Sequence, residues 1–401
     1  MITRRHFTAV LAGMAAAPAI PTLSFAQAAA PALRATDLPV PDFAQLRRQA
    51  EFIAGVRPHR KGGVRLSLQQ LDTPQGRKFL IHNYGHSGAG ITLSFGCASV
   101  VCDYVETVQN LMRGTSLRPT VAVLGSGVIG LTTATELRRK FRQLPITVYS
   151  KELNPAKTTS FKAGGQFEPS QLHDEYKGSN RELLNYYLRL SARRIREISS
   201  SSRAAQYGIA ARKNYTFDDR QDGFDEFTPL DVVPAYRRGR LPFKGLQDIG
   251  REYSTWLINP TILLPKLAAD LQPSGIATRV KDFQSRAEVE QLQETIIVNC
   301  TGFGAKALFN DDMMEARRGL LVKLRNDNGR FDYFFSGGCR NDRISYMFGR
   351  QKDIVVGGTV KRDDLSETIS DQDKVACNRL IDNIEKVFRG ESNSCADPLT
   401  S

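Results

Sequence analysis

The stretch Val121-Ala122-Val123-Leu124-Gly125-Ser126-Gly127-Val128-Ile129-Gly130 decides the fold, because it runs from a buried strand through a glycine turn into a helix. Its glycines have the GxGxxG spacing. In this spacing the first glycine makes the tight turn, the second lets backbone N–H groups approach a pyrophosphate, and the third lets the helix pack on the strand. The helix N-terminus also favours the negative charge of a phosphate. The stretch therefore predicts a dinucleotide-binding site, the alternative being a glycine-rich packing turn.

The next predicted strand, 146–149, completes a βαβ unit with the strand at 120–124 and the helix at 128–141. An acidic residue at the end of this second strand usually holds the adenosine ribose. Lys151 stands where the acid is expected. The candidate is therefore Glu152, one position further along the chain.

A segment of small residues follows the second strand. Thr158-Thr159-Ser160 and then Ala163-Gly164-Gly165 are suited to lie against a flavin. NAD and FAD bind the same kind of glycine turn, so this segment favours FAD over NAD. The alternative is an ordinary loop of hydroxyl-bearing residues and glycines.

The composition of the 401 residues is that of a globular protein, with 41% hydrophobic and 24% charged residues. It excludes a disordered or low-complexity protein. The formal net charge of +13 comes from basic residues scattered along the chain, which we interpret as a solvated basic surface. A nucleic-acid groove would need basic residues interleaved with aromatic ones. No such pattern is present, so we expect no nucleic-acid partner.

The sequence predicts no metal site. The six cysteines form no CxxC pair, and no group of cysteines and histidines has the spacing of zinc ligands. His82 and His86 are four residues apart, but Gly85 and the strand-to-turn context keep them from sharing a helix face. Cys97 and Cys300 lie in runs of apolar or small residues and are expected to be buried thiols.

The first 28 residues are predicted to be an export signal. Arg4-Arg5 precedes an alanine-rich apolar stretch, and Ala26-Gln27-Ala28 offers a cleavage site of the AxA type. The paired arginines indicate twin-arginine export of a folded protein to a bacterial periplasm or beyond. The alternative is a membrane anchor, although Pro18 and Pro21 interrupt the stretch. After cleavage we expect no stable membrane insertion.

Hydrophobic periodicity predicts the remaining helices and strands. The predicted helices are 42–54, 91–112, 182–198 and 371–388. The predicted strands are 64–68, 79–82, 295–299, 320–324, 345–348 and 354–356. Residues 390–401 are expected to be a loose end. Strands that alternate with helices indicate an α/β fold class.

Four segments of the chain together carry a family resemblance. They are Gly55-Val56-Arg57-Pro58, Ile81-His82-Asn83-Tyr84-Gly85-His86-Ser87-Gly88-Ala89-Gly90-Ile91-Thr92, the turn at 123–131, and Val298-Asn299-Cys300-Thr301-Gly302. Weaker matches are Arg318-Gly319, Tyr346 and Gly357-Gly358. Taken together, these residues resemble the D-amino acid oxidase family of FAD enzymes. The resemblance implies a Rossmann-like FAD-binding domain and a mixed-sheet substrate-binding domain.

The resemblance also implies a reaction and its residues. A hydride would pass from the α-carbon of a D-amino acid to flavin N5, O2 would be reduced to H2O2, and the imino acid would hydrolyse to a 2-oxo acid and ammonia. Arg57 would bind the α-carboxylate through two parallel hydrogen bonds, the Tyr346 hydroxyl would reach the same carboxylate, and the Gly88 carbonyl would accept from the substrate amine. The expected FAD-binding residues are Gly125, Gly127, Val128, Ile129 and Gly130, then Glu152, Thr158, Thr159 and Gly164, and finally Ser87, Gly88, Ala89, Gly90, Ile91 and Thr92.

The order of these segments departs from the family. There the glycine turn comes first, whereas here the Arg57 and His82–Thr92 segments precede it. We interpret this as a circular permutation, with 114–119 joining the old ends. Residues near Asp42 should then lie close to those near Ser392.

The resemblance divides the chain into six parts. These are a signal at 1–28, a linker at 29–44, FAD-binding parts at 45–175 and 276–318, and substrate-binding parts at 176–275 and 319–401. The sequence leaves open whether the protein forms a homodimer.

The segment 336–343, expected to be a lid, also departs from the family. Asp342 stands where a second active-site tyrosine is often found, while Arg340, Arg343 and Arg350 would attract an acidic side chain. The side-chain preference therefore stays open. The alternatives are a flavin amine oxidase acting on glycine or an N-methyl amino acid, and a flavin-binding protein without oxidase activity.

Overall fold

The computed structural model describes residues 38–399 except 217–228, 230, 245, 247–248, 338 and 340–344. The predicted export signal and Asp342 lie outside the described residues. The strands are β1 Glu51–Arg60, β2 Arg65–Thr73, β3 Gly76–Tyr84, β4 Val121–Leu124, β5 Ile146–Ser150, β6 Ile209–Thr216, β7 Arg237–Arg240, β8 Ile249–Ile258, β9 Ala277–Val280, β10 Ile296–Asn299, β11 Met314–Arg325, β12 Phe334–Ser336, β13 Tyr346–Gly349, β14 Asp353–Gly357 and β15 Lys361–Arg362. The α-helices are α1 Phe43–Leu46, α2 Gly90–Met112, α3 Val128–Lys140, α4 Arg181–Ser199, α5 Pro260–Leu271, α6 Arg286–Glu290, α7 Ala305–Leu308 and α8 Asp371–Phe388.

A six-stranded sheet has the order β2-β3-β10-β4-β5-β9. Its strands from β3 to β9 are parallel, and β2 is antiparallel to β3 at one edge. The central strands β4 and β10 are apolar and buried along almost their whole length, as is usual in parallel sheets that helices cover. The carboxyl ends of β3, β10 and β4 therefore lie side by side, and a glycine-containing turn follows each of them. The predicted βαβ unit is confirmed.

The helix α2 packs inside this layer. It is long and apolar enough to cross a bilayer, but 78% of its apolar window is buried in the protein. Its residues Leu93, Cys97 and Val101 are fully buried in one cluster with strand residues of the sheet. We therefore interpret α2 as a core helix.

The second sheet has nine strands and is mostly antiparallel. Its order is β1-β11-β14-β13-β12-β6-β8-β7, with β15 also pairing with β11. Helix α8 packs on one face, where Leu380, Ile384 and Val387 join Val322 and Val356 in one cluster. Two sheets with covering helices confirm the α/β fold class.

One predicted helix is wrong. The segment 42–54 was expected to be helical, but α1 ends at Leu46 and β1 begins at Glu51. All ten residues of β1 pair with β11, from Glu51 opposite Lys323 to Arg60 opposite Met314. The helical periodicity of this short segment is overridden by strand pairing that no local pattern reveals.

The tail after residue 390 is not a loose end. Cys395 forms a disulfide with Cys339, which lies just beyond β12. Asn383 of α8 also exchanges two hydrogen bonds with Ala396. The cross-link and these bonds hold the tail against α8. The other four cysteines are free and buried, as expected for Cys97 and Cys300.

The first and last described segments of the chain meet. The rings of Phe43 and Phe388 stack with centroids 6.1 Å apart, and Arg47 Nη2 lies 2.7 Å from Asp382 Oδ1. The proximity expected for a permuted chain is therefore present. The six-part domain division stays a prediction, and β1, which it assigns to an FAD-binding part, pairs within the nine-stranded sheet.

Candidate active site

The glycine turn after β4 has the geometry that its spacing predicts. Gly125 has φ of +106°, and a Cβ there would lie 2.5 Å from the Cys300 carbonyl oxygen. A Cβ on Gly130 would overlap the Gly125 carbonyl oxygen. Larger residues at either position would push apart β4, β10 and α3. The backbone N–H of Val128 donates to Ser160 Oγ at 3.1 Å, which ties the turn to the small-residue segment.

The second glycine turn, 85–90, lies beside the first. A Cβ on Gly90 would be 3.7 Å from Val128 Cγ1, because β3 and β4 flank β10 in the same sheet. Ser87 has φ of +52°, which turns the chain sharply into α2. The two sequence-distant turns therefore place the N-termini of α2 and α3 together, and Ala89 and Ile91 are buried between them and the core.

Glu152 lies at the carboxyl end of β5, as predicted. Its carboxylate is 3.0 Å from Lys157 Nζ and accepts a 2.8 Å hydrogen bond from the Asn154 N–H. That backbone bond and the Lys157 ammonium lower the pKa of Glu152. Ser126 of the glycine turn donates to the Glu152 carbonyl. Glu152 is thus beside the turn and ionised at neutral pH.

The structure adds one residue near Glu152 that the sequence did not single out. Val280 ends β9 and is 72% exposed, and the next residue, Lys281, donates its N–H to the Ser150 carbonyl at 3.0 Å. An exposed valine beside the end of β5 offers an apolar surface for a flat ring. Only the pairing of β5 with β9 reveals this position.

The small-residue segment passes between the two sheets. Thr158, Thr159 and Gly164 are partly exposed along it. Thr92 Oγ1 donates to the Glu168 carbonyl at 2.7 Å, and a Cβ on Gly164 would lie 2.7 Å from Phe348 Cδ2. The segment therefore contacts α2 on one side and the nine-stranded sheet on the other.

Arg57 and Tyr346 come together on the nine-stranded sheet across two glycines. A Cβ on Gly319 of β11 would overlap the Arg57 guanidinium, and one on Gly357 of β14 would overlap the Tyr346 hydroxyl. The Arg57 charge acts on the Tyr346 hydroxyl, whose pKa it lowers, and Arg57 Nη1 donates to the Thr359 carbonyl at 3.2 Å. The side chains therefore lie flat on the sheet and converge.

The surroundings of Tyr346 are apolar. Its ring stacks on Phe348 with centroids 4.4 Å apart and an interplanar angle of 12°. Both pack against a buried group that contains Leu257, Leu321 and Val355. Burial raises the pKa of Tyr346, an effect that the Arg57 charge partly opposes. The hydroxyl is therefore neutral at physiological pH and able to donate.

Gly88 is joined to the Arg57 strand by its neighbour. The Ser87 N–H donates to the Pro58 carbonyl at 3.1 Å, one residue after Arg57. Gly88 itself faces Ser170, where a Cβ would lie 3.2 Å from the Ser170 carbonyl oxygen. The 85–90 turn is thus tied to the strand that carries Arg57, where the two sheets meet.

Two buried polar atoms near the turns fit a bound group. Nε2 of His86 and Oε1 of Gln166 have no hydrogen-bond partner among the described residues, and both side chains are at most 6% exposed. Burial lowers the pKa of His86 to about 3, so it is neutral. The glycine turns, the helix N-termini and these atoms together suit a dinucleotide with a fused ring.

Arg350 does not have the role suggested by the sequence. Its Nη2 is 2.8 Å from Asp353 Oδ2, its Nη1 donates to the Ala163 carbonyl, and it is 2% exposed. Its charge is already paired, so it is not free to attract an acidic substrate. Arg340 and Arg343 lie outside the described residues, as does the central part of the predicted lid.

Comparison with known proteins identifies the family. Residues 120–398 match the family described as FAD dependent oxidoreductase. A D-amino-acid oxidase of Streptomyces coelicolor is 28% identical over 252 residues, which cover 61% of this chain and 70% of the relative. The human D-aspartate oxidase is 22% identical, covering 61% and 69%. Among solved structures, the glycine oxidase of Geobacillus kaustophilus has a TM-score of 0.44 at 14% identity, covering 66% and 79%.

The chain belongs to the family of FAD dependent oxidoreductases. Its cofactor is FAD, and it resembles the amino acid oxidases of that family. The family match begins at residue 120, so β1, β2, β3 and α2 precede the matched region.

Proposed function

We propose that the protein is a D-amino acid oxidase that deaminates its substrate with FAD as the hydride acceptor. O2 would be reduced to H2O2, and the imino acid would be hydrolysed to a 2-oxo acid and ammonia. The observation that carries this proposal is the convergence of Arg57 and Tyr346 beside the 85–90 turn. The D-amino-acid oxidases among its relatives support it.

Arg57 and Tyr346 would hold the substrate carboxylate. The planar guanidinium can donate two parallel hydrogen bonds, and the neutral Tyr346 hydroxyl can donate a third. The Gly88 carbonyl would accept from the amine. With the carboxylate and the amine both fixed, the position of the α-hydrogen depends on the configuration at the α-carbon, so the site would distinguish D from L substrates.

The N-terminus of α2 would hold the pyrimidine end of the flavin. FAD supplies the N5 acceptor for the hydride, and negative charge then develops at the pyrimidine end. The 23-residue helix begins at Gly90, and the N–H groups of its first turn, residues 90–92, have dipoles that favour that charge. On the same grounds, residues 125–130 and Glu152 would hold the pyrophosphate and the ribose.

Anaerobic titration tests the proposed reaction. Purified protein should be yellow, and D-alanine should bleach its visible flavin band while L-alanine, glycine and sarcosine do not. Arg57→Lys should lower kcat/KM by roughly 10- to 100-fold, since one bidentate charged interaction is lost. Arg325→Lys, an exposed arginine on the neighbouring strand, is the matched control. Bleaching by glycine or sarcosine alone would instead favour an amine oxidase, and no bleaching by any amine would contradict oxidase function.

We also propose that the chain is a circular permutation of the family fold. The contact between Phe43 and Phe388 and the start of the family match at residue 120 support this. A reordered chain that starts at Thr120 and joins Leu399 to Leu38 by a short flexible linker should fold and bind FAD. Opening the chain inside β10, between Ile297 and Val298, should abolish folding because both residues are fully buried. Failure of the first reordered chain under conditions where the parent folds would refute the permutation.

Export to an oxidising compartment is a further part of the proposal. The Cys339–Cys395 disulfide supports it, because such bonds persist mainly outside the cytoplasm. Mass spectrometry of protein from a bacterial periplasmic fraction should find a chain that begins at Ala29. A full-length chain retained in the cytoplasm would contradict export.

A further inference from the structure

A buried chain of polar contacts, a hydrogen bond from Ser87 to His59 and a close approach of His59 to Glu175, connects the 85–90 turn to Glu175. Ser87 Oγ lies 2.6 Å from His59 Nδ1, and His59 Nε2 lies 3.1 Å from Glu175 Oε1. His59 is fully buried and Ser87 is 5% exposed. The other Glu175 oxygen accepts the Gly62 N–H at 2.6 Å, so the carboxylate is held near the surface. Three segments distant in sequence thus form one network.

The network holds a strained residue. Ser87 has φ of +52°, which costs a non-glycine residue on the order of 1 kcal/mol. Glycine would adopt this conformation freely, yet the chain has a serine whose hydroxyl bonds to a buried histidine. The strain is therefore accepted in return for the serine hydroxyl, which a glycine would lack.

The geometry does not suit a nucleophile. In a hydrolytic triad the serine contacts the histidine nitrogen that faces substrate, and the hydroxyl is open to it. Here Ser87 is buried and bonds to Nδ1, while the carboxylate is on Nε2. A positioning role fits the observations better than a hydrolytic one.

Charged side chains face His59 from two of the segments packed against it, while the 85–90 turn presents Ser87 and the neutral His86. Arg317 and Glu315 face it from β11, Glu175 faces it from the 173–176 segment, and Lys61 pairs with Glu315. Burial and then Arg317 lower the pKa of His59, while Glu175 and Glu315 raise it and do not fully compensate. The pKa of His59 therefore lies below the ordinary histidine value, so the ring is neutral at pH 7 and takes up a proton only under acidic conditions.

We propose that His59 and Glu175 set the direction of the Ser87 hydroxyl and thereby tune how the N-terminus of α2 holds the pyrimidine end of FAD. This rests on the proposed function, which brings the flavin to this turn. With neutral His59, the Ser87 hydroxyl donates to Nδ1 and Nε2–H faces Glu175. With protonated His59, Nδ1–H donates to Ser87 Oγ, and the hydroxyl proton is released to donate to the cofactor.

The test is the affinity of the full-length apoprotein for FAD as a function of pH. Flavin fluorescence quenching gives the Kd between about pH 5 and pH 8, the window in which histidine titrates. The wild-type Kd should fall roughly threefold to tenfold toward the acidic end, the worth of one hydrogen bond. His59→Asn and Ser87→Gly should bind FAD with a Kd that does not change across this window. Ser87→Gly relieves the strain, so it folds even if His59→Asn does not.

Asp174→Asn is the matched control, because this neighbouring carboxylate is exposed and pairs with Lys177 instead. The Asp174→Asn variant should show the same dependence of the FAD Kd on pH as the wild type. Glu175→Gln should move the fall in Kd to lower pH, since a charge that favours protonated His59 is lost. A wild-type profile retained in both His59→Asn and Ser87→Gly would overturn the inference. If the FAD Kd varies with pH as expected in every variant but the protein oxidises no amino acid, the proposed function is contradicted and the role of His59 is not.

Discussion

At the scale of single residues, Gly319 and Gly357 create the space that Arg57 and Tyr346 occupy. Both glycines lie on strands between the two side chains, and a methyl group at either would overlap one of them. The sequence resemblance implied roles for Arg57 and Tyr346, but the reason for the glycines needed the strand order. Likewise no local pattern links His59, Ser87 and Glu175, because Ser87 follows His59 by 28 residues and Glu175 follows Ser87 by 88.

Replacing Gly319 by alanine should displace the Arg57 guanidinium and weaken substrate binding. We expect kcat/KM to fall by roughly 10- to 100-fold, the worth of a hydrogen-bonded charge, while the FAD affinity is unchanged. Steady-state peroxide release measures kcat/KM, and titration with FAD measures the affinity for the cofactor. Gly55→Ala is the control, because Gly55 pairs directly with Gly319 and its added methyl would meet only Lys162 at 3.4 Å. Equal losses in both variants would show that the effect is not specific to Arg57.

Buried histidines should make the protein sensitive to acid. Burial lowers the pKa of His82 to about 3, whereas the unfolded chain has the ordinary value near 6.5. Between these values the unfolded state binds one more proton, so the free energy of unfolding falls by about 1.4 kcal/mol per pH unit as the pH decreases.

Urea unfolding of the FAD-bound protein at neutral and mildly acidic pH tests this expectation. His82→Asn should reduce the slope of the free energy of unfolding against pH by about 1.4 kcal/mol per pH unit. The remaining slope then comes from other groups, His59 and His86 among them. An unchanged slope would mean that His82 is already protonated in the folded protein.

At the scale of elements, one face of strand β11 lies against Arg57, and its other face packs on helix α8. Gly319 faces the site, while the adjacent Arg318 faces α8 and binds both Asp373 oxygens at 2.8 Å. Arg318 also donates to the carbonyls of Ser366 and Thr368, and its hydrogen bonds to Asp373 lower the pKa of that carboxyl. The sequence predicted α8 and part of β11 correctly from periodicity. It could not predict their contact, because the period of a strand does not say which element covers each face.

Arg318→Met should therefore lower stability without affecting the site. Removing one partner of a largely buried ion pair leaves Asp373 uncompensated, and we expect a loss of about 3 kcal/mol in the free energy of unfolding. The KM for the amino acid should stay within about twofold of wild type, since Arg318 lies on the opposite face from Arg57. Arg325→Met, at an exposed pair, should change stability by less than about 0.5 kcal/mol. A raised KM in Arg318→Met would show that the two faces of β11 are coupled.

At the scale of the whole molecule, the candidate site lies where the two sheets meet. The six-stranded sheet supplies the glycine turns, the nine-stranded sheet supplies Arg57 and Tyr346, and the segment 158–168 lies between them. The βαβ unit was predictable because its strands and helix are neighbours in sequence. The pairing of β1 with β11 was not, since more than 250 residues separate their paired positions.

The Cys339–Cys395 disulfide should contribute to global stability. It closes a loop with a sequence separation of 56 residues, for which chain entropy gives a stabilisation of about 4 kcal/mol. A reductant should lower the Tm of the wild type, and Cys395→Ser should have that lower Tm with or without reductant. Cys339→Ser should be indistinguishable from Cys395→Ser. A wild-type Tm that ignores the reductant would mean that the bond contributes little or is not accessible to it.

This cross-link joins the C-terminal tail to Cys339, which lies between β12 and Tyr346 at the start of β13. The redox state of the compartment in which the protein folds therefore decides whether the bond forms. Material recovered from a reducing cytosol and material recovered from an oxidising space would share every amino acid and differ by two hydrogen atoms. Preparations of the two kinds should therefore be compared for shelf life and protease resistance before either is taken to represent the native enzyme.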